Sequence, residues 1–477
     1  MFHLYLPPSA LPERLYAWRE LLERRLGVDF AWAVKDGAKE TRLSLPEAGN
    51  YEIIIPDIFF PFWDQHRSVI PEPKIGDGEG VHGRHEPFTD PGEPVVWHCR
   101  EGALPLIYFS KYFSETAREA DRIILPFDLP GAVFQFLSRI EELAGPFDAH
   151  GRFPGKQSWA ARHGLLHRPL VDEYEEVLRR SIKSLWPGIP LKNHSFKVFP
   201  THDVDWPFVS WGMPLRRVVR NALGDIVKRR NLRLSFFRLK SRLMDNPEDD
   251  PAYTYDFIMD MSESQGLKST FFFITGGTEH NLEGVYRIEQ PEVSTILQRI
   301  LKRGHNVGVH GSYHSLETPG RLKEETDDLR QALFSLGFDS SRIGGRQHFL
   351  RGSLPTLWRE SERAGLEFDS TMGFADMPGF RAGTCREYRA FDVFLRKELS
   401  LTVKPLIVMD RTLRSADCLG LDRNLAKFVF RDLKQTCARM KGEFVLLWHN
   451  STLLSGKDKS EYAAYLSSPT DLEFCKE

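Results

Sequence analysis

The sequence has few cysteines, no long apolar run and almost no net charge. Its five cysteines among 477 residues are scattered and never spaced as C-x-x-C, which argues against a disulfide framework and against a cysteine-based zinc motif. No stretch reaches the roughly 20 apolar residues that a membrane span needs. The first residues lack the basic segment followed by an apolar one that marks a signal peptide. We therefore expect a reduced, soluble, cytoplasmic protein without a transmembrane segment.

The near-zero charge limits the classes of partner. With 64 Lys and Arg residues against 66 Asp and Glu residues, the net charge is −2 at pH 7, so we expect no nucleic-acid partner. One basic amphipathic stretch, residues 214–244, departs from this balance. Such a stretch is typical of a solvated helix face and, less often, of a contact for an anionic substrate or a lipid headgroup. Because of this stretch, a peripheral membrane contact remains an alternative.

The chain divides into two predicted units, residues 1–192 and residues 193–477. Hydrophobic residues make up 41% of the whole, which is ordinary for globular domains. The first unit mixes short strands with amphipathic helices and is predicted to be a small α/β domain. The second alternates apolar strands with helices, which predicts an α/β fold with a parallel sheet, open or closed into a barrel. In such folds functional side chains gather at the carboxyl ends of the strands.

Polar side chains directly follow the predicted strands of the second unit. The candidates are Asp203, Asp205, His310, His314, Arg346, Asp369 and His449. If a helical turn begins at His310, then His310 and His314 point to the same side. Two histidines and one carboxylate form a common catalytic metal site with open positions. Either Asp203 or Asp205 could be that carboxylate, and the other could act as a base.

The remaining candidates supply the other parts of a hydrolytic site. His449 ends the predicted strand "EFVLLWHN" and is suited to protonate a leaving amine. Arg346 could hold the free aspartate, and Asp369 could orient His449. Taken alone, each of these residues could also have an ordinary structural role, such as a turn cap or an ion pair. A further histidine, His348, is interpreted as structural. Their joint occurrence at strand ends favours an amide or ester hydrolase.

Five stretches of the second unit, taken in order, also resemble one known family. They are "FPTHDVD", "KSTFFFI", "GHNVGVHGSYH", "GGRQHF" and "FVLLWHN". Together they resemble the polysaccharide deacetylase superfamily, of the NodB-homology or carbohydrate esterase family 4 type, over roughly residues 198–454. The resemblance implies a distorted (β/α) barrel. In the first unit, the stretches "HGRFPGKQSWAARHG" and "LLHRPLVDEYEEVL" resemble the uncharacterised domain that precedes this deacetylase type in bacterial proteins. This domain, residues 1–192, could position a glycan or a partner.

The resemblance implies a metal site and a base in the first two motifs. Asp205, His310 and His314 match the three ligands of one divalent metal ion, usually zinc, although cobalt, manganese or iron suits the same ligand types. Asp203 matches the base. The first motif of the family usually has adjacent carboxylates, whereas here Val204 separates them, as in a known subgroup.

The later motifs imply positioning and proton-transfer roles. Arg346 matches the residue that holds the base. Because this motif lacks the family's prolines, Arg381 remains the alternative for that role. Phe349 falls where a backbone N–H helps to bind the oxyanion. His449 matches the catalytic acid, and Asp369 matches, more loosely, the residue that orients this acid.

The predicted function is metal-dependent hydrolysis of the N-acetyl group of a sugar in a bacterial polysaccharide or its precursor. A cytoplasmic location would favour a lipid-linked or nucleotide-linked sugar as the substrate. Two alternatives remain. One is another metal-dependent hydrolase of this fold, which cleaves a cyclic amide or an ester. The other is a non-catalytic scaffold that binds glycans.

Overall fold

Two large sheets organise the chain, one before residue 192 and one after it. The structure, a computed structural model, describes residues 1–65, 98–99, 102–108, 118–119, 121–277, 282–284 and 286–470. Both sheets are covered by helices, so the prediction of an α/β fold is confirmed. All strands of the first sheet lie within the unit that the sequence predicts for residues 1–192.

The first sheet has six strands and mixes parallel and antiparallel pairs. The strands of this region are β1 (Phe2–Leu6), β2 (Phe30–Val34), β3 (Glu40–Ser44), β4 (Glu52–Pro56), β5 (His98–Cys99), β6 (Gly102–Ala103), β7 (Arg118–Glu119) and β8 (Arg122–Ile124). The order is β2-β1-β3-β4-β8-β7, while β5 and β6 pair separately. In β1 the alternating residues Phe2, Leu4 and Leu6 are buried, because successive side chains of a strand point to opposite faces.

The helices of the first region carry recognisable start and stop signals. They are α1 (Leu11–Trp18), α2 (Phe59–Gln65), α3 (Leu129–Ser138), α4 (Trp159–Arg162) and α5 (Leu170–Leu185). A π-helix over Arg19–Leu26 continues α1 and ends at Gly27, whose φ of 70° is left-handed, a conformation that glycine adopts without cost. Asp128 begins α3 by accepting a hydrogen bond from the Gly131 N–H at 2.9 Å, which satisfies a free helix-end donor.

The second sheet has nine strands. They are β9 (Lys197–Val204), β10 (Thr270–Phe273), β11 (Asn306–Gly311), β12 (Gly345–Gln347), β13 (Phe368–Asp369), β14 (Tyr388–Asp392), β15 (Lys397–Val403), β16 (Val408–Met409) and β17 (Glu443–Leu447). Their order is β14-β15-β13-β12-β11-β10-β9-β17-β16, and every pair is parallel except β14 with β15. The sheet curls into a half-barrel. Among the described residues β14 and β16 remain its two edges, so the barrel expected from the sequence is open on one side.

Helices connect the strands of the second sheet. They are α6 (Leu215–Val227), α7 (Leu232–Leu243), α8 (Tyr255–Ser264), α9 (Pro291–Lys302), α10 (Arg321–Ser335), α11 (Thr356–Arg363), α12 (Asp410–Arg414), α13 (Arg423–Arg439) and α14 (Gly456–Leu466). In α9 the residues Val293, Ile296, Leu297 and Ile300 are buried, which is the spacing of one helix face turned to the sheet. In the part of the chain that the structure describes, no helix has both the length and the apolar character that a membrane crossing requires.

One hydrophobic core runs continuously from the first region into the second. In β10 the side chains of Phe271, Phe272 and Phe273 are fully buried, because a parallel strand inside such a sheet is covered on both faces. From the first region, Tyr16 packs against Phe391 with ring centroids 4.9 Å apart. The two sheets are therefore joined by apolar contacts as well as by the chain.

Buried charges also join the two regions. Arg25 Nη1 donates to Asp172 Oδ1 at 2.6 Å, and Arg25 Nη2 donates to Thr384 Oγ1 at 3.0 Å. The Cys385 backbone N–H donates to Asp172 Oδ2 at 2.8 Å. Burial opposes ionisation of Asp172, but Arg386 and Arg25 outweigh it and hold the pKa of this carboxyl below its usual value. Each of these charges depends on its partner, because an unpaired buried charge is costly.

Arg25→Met is expected to lower the free energy of unfolding by about 3 kcal/mol, the lower end of the usual cost of breaking a buried ion pair, because the buried Asp172 keeps Arg386, at 3.7 Å, as its remaining charged partner among the described residues. Arg180→Met is the matched control, since the ion pair of Arg180 with Glu176 is exposed and its loss should cost no more than about 1 kcal/mol. Urea unfolding followed by circular dichroism measures both changes. Equal effects of the two substitutions would contradict a stabilising role for the buried pair.

Candidate metal centre and active site

The carboxyl ends of the parallel strands bring the predicted site residues to one edge of the second sheet. β9 carries Asp203 near its end, and Asp205 follows this strand directly. Across the neighbouring strands, His310 of β11 lies opposite Arg346 of β12. On the other side of β9 lies β17, which His449 follows. The parallel register thus gathers side chains that are far apart in the sequence.

An aspartate and two buried histidines meet at this edge. Asp205, His310 and His348 each offer one ligand atom, and these atoms all lie within 4.8 Å of one another. Asp205 Oδ1 is 3.2 Å from His310 Nε2, and Asp205 Oδ2 is 3.5 Å from His348 Nε2. We refer to these three residues as the metal group. Two imidazoles and one carboxylate suit zinc and the neighbouring transition metals.

The other ring nitrogen of each histidine faces an oxygen atom. His310 Nδ1 lies 2.9 Å from the carbonyl oxygen of Arg346, and His348 Nδ1 lies 3.2 Å from Glu283 Oε1. A carbonyl or carboxylate oxygen accepts, so both Nδ1 atoms carry the hydrogen and both Nε2 atoms are turned towards Asp205. Partners of this kind commonly orient metal-bound histidines.

Two atoms of the metal group are buried polar atoms that lack a hydrogen-bond partner. Among the described residues, neither Asp205 Oδ1 nor His310 Nε2 makes a hydrogen bond, although the two are close together. Such an atom costs about 1–3 kcal/mol when it stays unsatisfied. A cation bound by both atoms would remove that cost, so these residues fit a divalent metal ion.

The charges of the site shift one another's pKa values. Burial opposes ionisation of Asp205, but His348, His310 and His449 outweigh it and hold the pKa of this carboxyl well below its usual range. Burial also opposes the charged form of His348, yet Asp205 and Glu283 raise the pKa of this ring to about 9. A metal ion would have to displace the proton of His348, so we expect metal affinity to fall as the pH falls.

The structure brings His348, and not the predicted His314, to the metal group. The H-x-x-x-H interpretation required a helical turn beginning at His310, but β11 stays extended through Gly311. His314 lies beyond the strand, where its side chain is 40% exposed and its Nδ1 is 2.6 Å from Glu317 Oε2. His348 follows β12, the direct neighbour of β11, and this position places it beside His310.

A buried arginine holds the second carboxylate, Asp203. Arg346 Nη1 donates to Asp203 Oδ1 at 2.9 Å and to Thr201 Oγ1 at 2.7 Å. Arg346 Nε and Nη2 donate to the carbonyl and hydroxyl oxygens of Ser370, both at 2.9 Å. Asp203 Oδ2 lies 3.6 Å from His310 Nε2. One oxygen of Asp203 is therefore anchored, and the other faces the metal group.

Arg381, the alternative to Arg346, lies elsewhere. Its Nε and Nη2 donate to Glu142 at 2.9 and 2.5 Å, and its Nη1 donates to the carbonyl oxygen of Gly373 at 2.8 Å. Glu142 belongs to the first region of the chain. Arg381 therefore links the two regions, and Arg346 is the arginine that contacts Asp203.

His449 has a carboxylate partner, Asp410. His449 Nδ1 lies 2.7 Å from Asp410 Oδ1, and the His449 backbone N–H donates to Asp410 Oδ2 at 3.1 Å. Burial opposes the charged form of His449, but Asp410 outweighs it and raises the pKa of this ring to about 9. The ring is thus protonated at neutral pH. Its Nε2 faces the metal group, 3.7 Å from Asp205 Oδ2.

Asp369, which was predicted to orient His449, lies in another part of the sheet. It accepts hydrogen bonds from the Thr371 backbone N–H at 3.0 Å and from Thr371 Oγ1 at 2.6 Å, and burial raises its pKa to about 6. Four strands separate β13, which carries Asp369, from β17. Asp410 instead directly follows β16, which pairs with β17, and so it reaches His449.

Phe349 lies in a tight turn next to the metal group. The φ angles of Phe349 and Leu350 are 60° and 54°, in the left-handed region that is costly for residues with side chains and that often occurs at functional sites. The carbonyl oxygen of Phe349 accepts a hydrogen bond from Arg152 Nη1 at 3.0 Å. A residue of the first region therefore helps to hold this turn.

The segment around His150 also forms one wall of a cavity beside the site. The cavity has a volume of ≈ 360 Å³ and is lined by His150 from the first region and by Tyr313, Gln347 and Arg351 from the second. His150 Nδ1 lies 2.8 Å from Tyr313 Oη, and Arg351 Nε donates to the His150 carbonyl oxygen at 2.7 Å. The rings of His150 and Tyr313 also pack against Phe349, with centroids 4.8 and 5.5 Å apart, so the cavity lies beside the turn that follows His348, although none of the metal group lines it.

Sequence analysis missed His348, Asp410 and Glu283 as functional candidates. His348 stands at the end of the same short strand as Arg346. It is therefore also a polar residue at a predicted strand end, which is the feature that marked the other candidates. Asp410 ends the apolar run "PLIVMD", which is the same signal as at Asp203. Glu283 lies in the connection between β10 and α9, and nothing in its sequence surroundings marks it.

Comparison with known proteins by sequence gives one match. Residues 2–187 match the model of DUF7033, a family of unknown function. No curated protein matches the chain. The first region therefore has relatives, but their family description assigns no role to it.

Solved structures provide weak similarities. The polysaccharide deacetylase Bc1974 from Bacillus cereus is 14% identical with a TM-score of 0.28, over 57% of this chain and 85% of that one. A family 4 carbohydrate esterase from Streptomyces lividans is 11% identical with a TM-score of 0.26, over 44% and 81%. PuuE allantoinase is 11% identical with a TM-score of 0.34, over 59% and 85%. None of these similarities assigns an activity to this chain.

Proposed function

We propose that the chain is a metal-dependent hydrolase that removes the acetyl group from an N-acetylated sugar. The proposal rests on one observation: Asp203 and His449 both lie close to the metal group. Asp203 Oδ2 lies 3.6 Å from His310 Nε2, and His449 Nε2 lies 3.7 Å from Asp205 Oδ2. A base and an acid on two sides of a metal site are what amide hydrolysis needs.

In this proposal Asp205, His310 and His348 hold the ion. Zinc suits the ligand set, and so do cobalt, manganese and iron. When held there, such an ion would supply the positive charge that polarises an acetyl carbonyl group and makes water more acidic. Glu283 orients the His348 ring by accepting a hydrogen bond from Nδ1, the nitrogen turned away from the ion. The backbone N–H of Phe349, in the turn next to His348, is the proposed second donor to the oxyanion.

Asp203 takes the proton of the attacking water. Arg346 anchors Oδ1 of this carboxylate at 2.9 Å, which leaves Oδ2 directed to the metal group. As the water oxygen attacks the acetyl carbon, its proton moves to Oδ2. The anchoring matters because a base accelerates the step only when it is held within reach of the proton.

His449 then donates a proton to the departing amine. Burial opposes the charged form of the ring, but Asp410 favours it and, together with Asp205 and Asp203, raises its pKa to about 9; Asp410 also fixes the orientation of the ring through Nδ1. An amine leaves only when its nitrogen gains a proton, whereas an ester oxygen needs this help less. The His449–Asp410 pair therefore supports cleavage of an amide. A cyclic amide has the same need, so it remains the second candidate substrate.

The cavity of ≈ 360 Å³ beside the site supports a saccharide substrate. Its walls combine the aromatic rings of Phe147 and Tyr313 with the polar groups of Gln347 and Arg351. A sugar presents apolar ring faces together with hydroxyl groups, and such a mixed wall suits both. In this proposal the first region shapes the sugar site through His150.

Acetate release tests the proposal. The protein is stripped with a chelator, reloaded with zinc, and incubated with N-acetylglucosamine oligosaccharides and with a nucleotide-linked N-acetylhexosamine. We expect acetate only after reloading, because the proposed reaction needs the metal ion. The stripped protein is the control. Ring opening of a small imide without acetate from any sugar would favour the cyclic amide. Sugar binding by the zinc-loaded protein without any reaction would favour the non-catalytic scaffold.

A further inference from the structure

Helices α6 and α7 form a hairpin with unusual charge, here called the basic hairpin (residues 215–244). This segment carries ten cationic residues, Arg216, Arg217, Arg220, Lys228, Arg229, Arg230, Arg233, Arg238, Lys240 and Arg242. Its single acidic residue is Asp225, which is buried and pairs with Arg229 and Arg238. The whole chain has a net charge of −2. Ten cations against one acidic residue give the hairpin a net charge of +9, so the rest of the chain has a net charge of −11.

The basic hairpin also exposes an unusual amount of apolar surface. Nine of its large apolar side chains are exposed, namely Leu215, Val219, Leu223, Ile226, Val227, Leu232, Phe236, Leu243 and Met244. The exposed fraction reaches 74% at Val227 and 71% at Met244. A continuous apolar patch on a protein surface usually marks an interaction site.

Helix α7 is inverted relative to an ordinary surface helix. It buries Leu234, Ser235, Arg238 and Ser241, which lie on one side of the helix, and only Leu234 among them is apolar. Its exposed residues Leu232, Phe236 and Leu243 follow at intervals of four and seven, so they form a separate stripe on another side. A helix that contacts only its own protein turns its apolar stripe inward. The stripe of α7 is therefore left exposed by the rest of the described chain.

Helix α6 also has an exposed apolar stripe, although its buried side is itself partly apolar. The buried residues are Val218, Ala222 and Asp225. Leu215, Val219 and Leu223 follow one another at intervals of four and are exposed, so they share one side of the helix. Arg216 and Arg220 lie at the border of this stripe. The exposed apolar stripe is thus flanked by cations.

We infer that the basic hairpin docks on an anionic membrane surface, with its apolar stripes inserted among the lipids and its arginines at the headgroups. Helices with one apolar face and a cationic border lie in the plane of such a surface, and each nearby cation adds attraction to anionic lipids. A second copy of this chain is less suitable, because it would bring the cations of two basic hairpins together, and like charges facing each other across an interface are costly. The inference does not depend on the proposed deacetylation.

The hairpin is also connected to the candidate active site. The Arg217 guanidinium lies over the ring of Trp206, 5.5 Å from its centre. Trp206 directly follows Asp205, a member of the metal group. The hairpin that docks in this inference therefore contacts the residue next to Asp205.

Co-sedimentation of the full chain with vesicles tests the inference. The probes are vesicles of phosphatidylcholine alone and vesicles of phosphatidylcholine mixed with phosphatidylglycerol. We expect binding to the mixed vesicles and much weaker binding to the neutral ones. Added salt should weaken the binding, because it screens the headgroup attraction. Equal binding to both vesicle types, or none to the mixed vesicles, would overturn the inference.

Two sets of substitutions in the hairpin separate the apolar and the electrostatic contribution. Leu223→Ser, Val227→Ser and Phe236→Ser together should reduce partitioning onto the mixed vesicles by more than about tenfold, because inserted apolar side chains drive it. Arg216→Gln and Arg220→Gln together should reduce it by about tenfold, because each cation near the surface contributes. All five side chains are exposed, so the Tm of each variant should stay close to that of the wild type.

The matched control places the same change elsewhere on the surface. Phe334→Ser, Phe394→Ser and Phe428→Ser remove three side chains that are 72%, 66% and 67% exposed outside the hairpin. This variant should bind the mixed vesicles like the wild type, and an equal loss in it would overturn the inference. A wild-type dimer in analytical ultracentrifugation, converted to a monomer by the apolar hairpin variant, would also overturn it, because a second copy would then cover the stripes.

Discussion

His348→Ala is expected to lower zinc affinity by more than about 100-fold. Loss of an outer partner of a metal ligand already costs about 10–100-fold, and this substitution removes a ligand itself. The protein is dialysed against zinc, and its metal content is measured by elemental analysis. Competition with a chromogenic chelator then gives the affinity.

The control for this prediction is His314→Ala. His314 is 40% exposed and pairs with Glu317, so its removal should leave zinc affinity within a few-fold of the wild type, as expected for a residue outside the ligand set. Both variants lose one imidazole, and only the position differs. The opposite order, with zinc lost in His314→Ala and kept in His348→Ala, would restore the H-x-x-x-H interpretation of the sequence.

Asp203→Asn is expected to lower kcat for acetate release by about 10²–10⁴-fold, which is the usual contribution of a general base. Asparagine keeps the shape of the side chain and can still accept the hydrogen bond of Arg346, but it does not take a proton. Zinc content should stay unchanged, because Asp205 belongs to the metal group and Asp203 is held by Arg346. Steady-state kinetics and elemental analysis measure the two quantities.

Asp369→Asn is the control for the base. Asp369 is buried like Asp203, but it contacts Thr371 at the end of β13, away from the metal group. We expect kcat to stay within a few-fold of the wild type. Loss of zinc in Asp203→Asn would make Asp203 a ligand, and full activity in that variant would remove it from the mechanism.

The polar residues at the strand ends were accessible from the sequence. Asp203, Asp205, His310, Arg346 and His449 each stand at or just after the end of an apolar run. The pattern is local, because a buried parallel strand needs apolar residues and its exit to the surface permits polar ones. That these ends meet at one edge follows from the parallel arrangement, which the alternation of strands and helices predicts.

The sequence did not show whether His314 or His348 joins the metal group. His314 and His348 both follow strands, and the sequence spacing favoured His314. The outcome depended on whether β11 continued through Gly311 or turned into a helix at His310, and its pairing with β12 keeps it extended. The pairing of β11 with β12 joins residues 36 positions apart, such as His310 and Arg346. The pattern of neighbouring residues in the sequence does not show such a contact.

The partners of the catalytic candidates depended on strand order. Asp369 and Asp410 are both aspartates at strand ends, and the sequence does not show which strand lies beside β17. The order of the sheet places β16 there and leaves four strands between β13 and β17. Strand order is decided by packing over the whole sheet, so Asp410 reaches His449 only in the folded chain.

The sequence by itself determined the class of fold, the positions at which polar side chains leave the strands, and the basic amphipathic character of residues 214–244. These depend on the period and composition of short segments, which act locally. Only the tertiary structure decided that His348 joins Asp205 and His310, that Asp410 serves His449, and that the apolar stripes of the hairpin face outward. Each of these depends on register, strand order or burial, and these arise from contacts between segments that are distant along the chain.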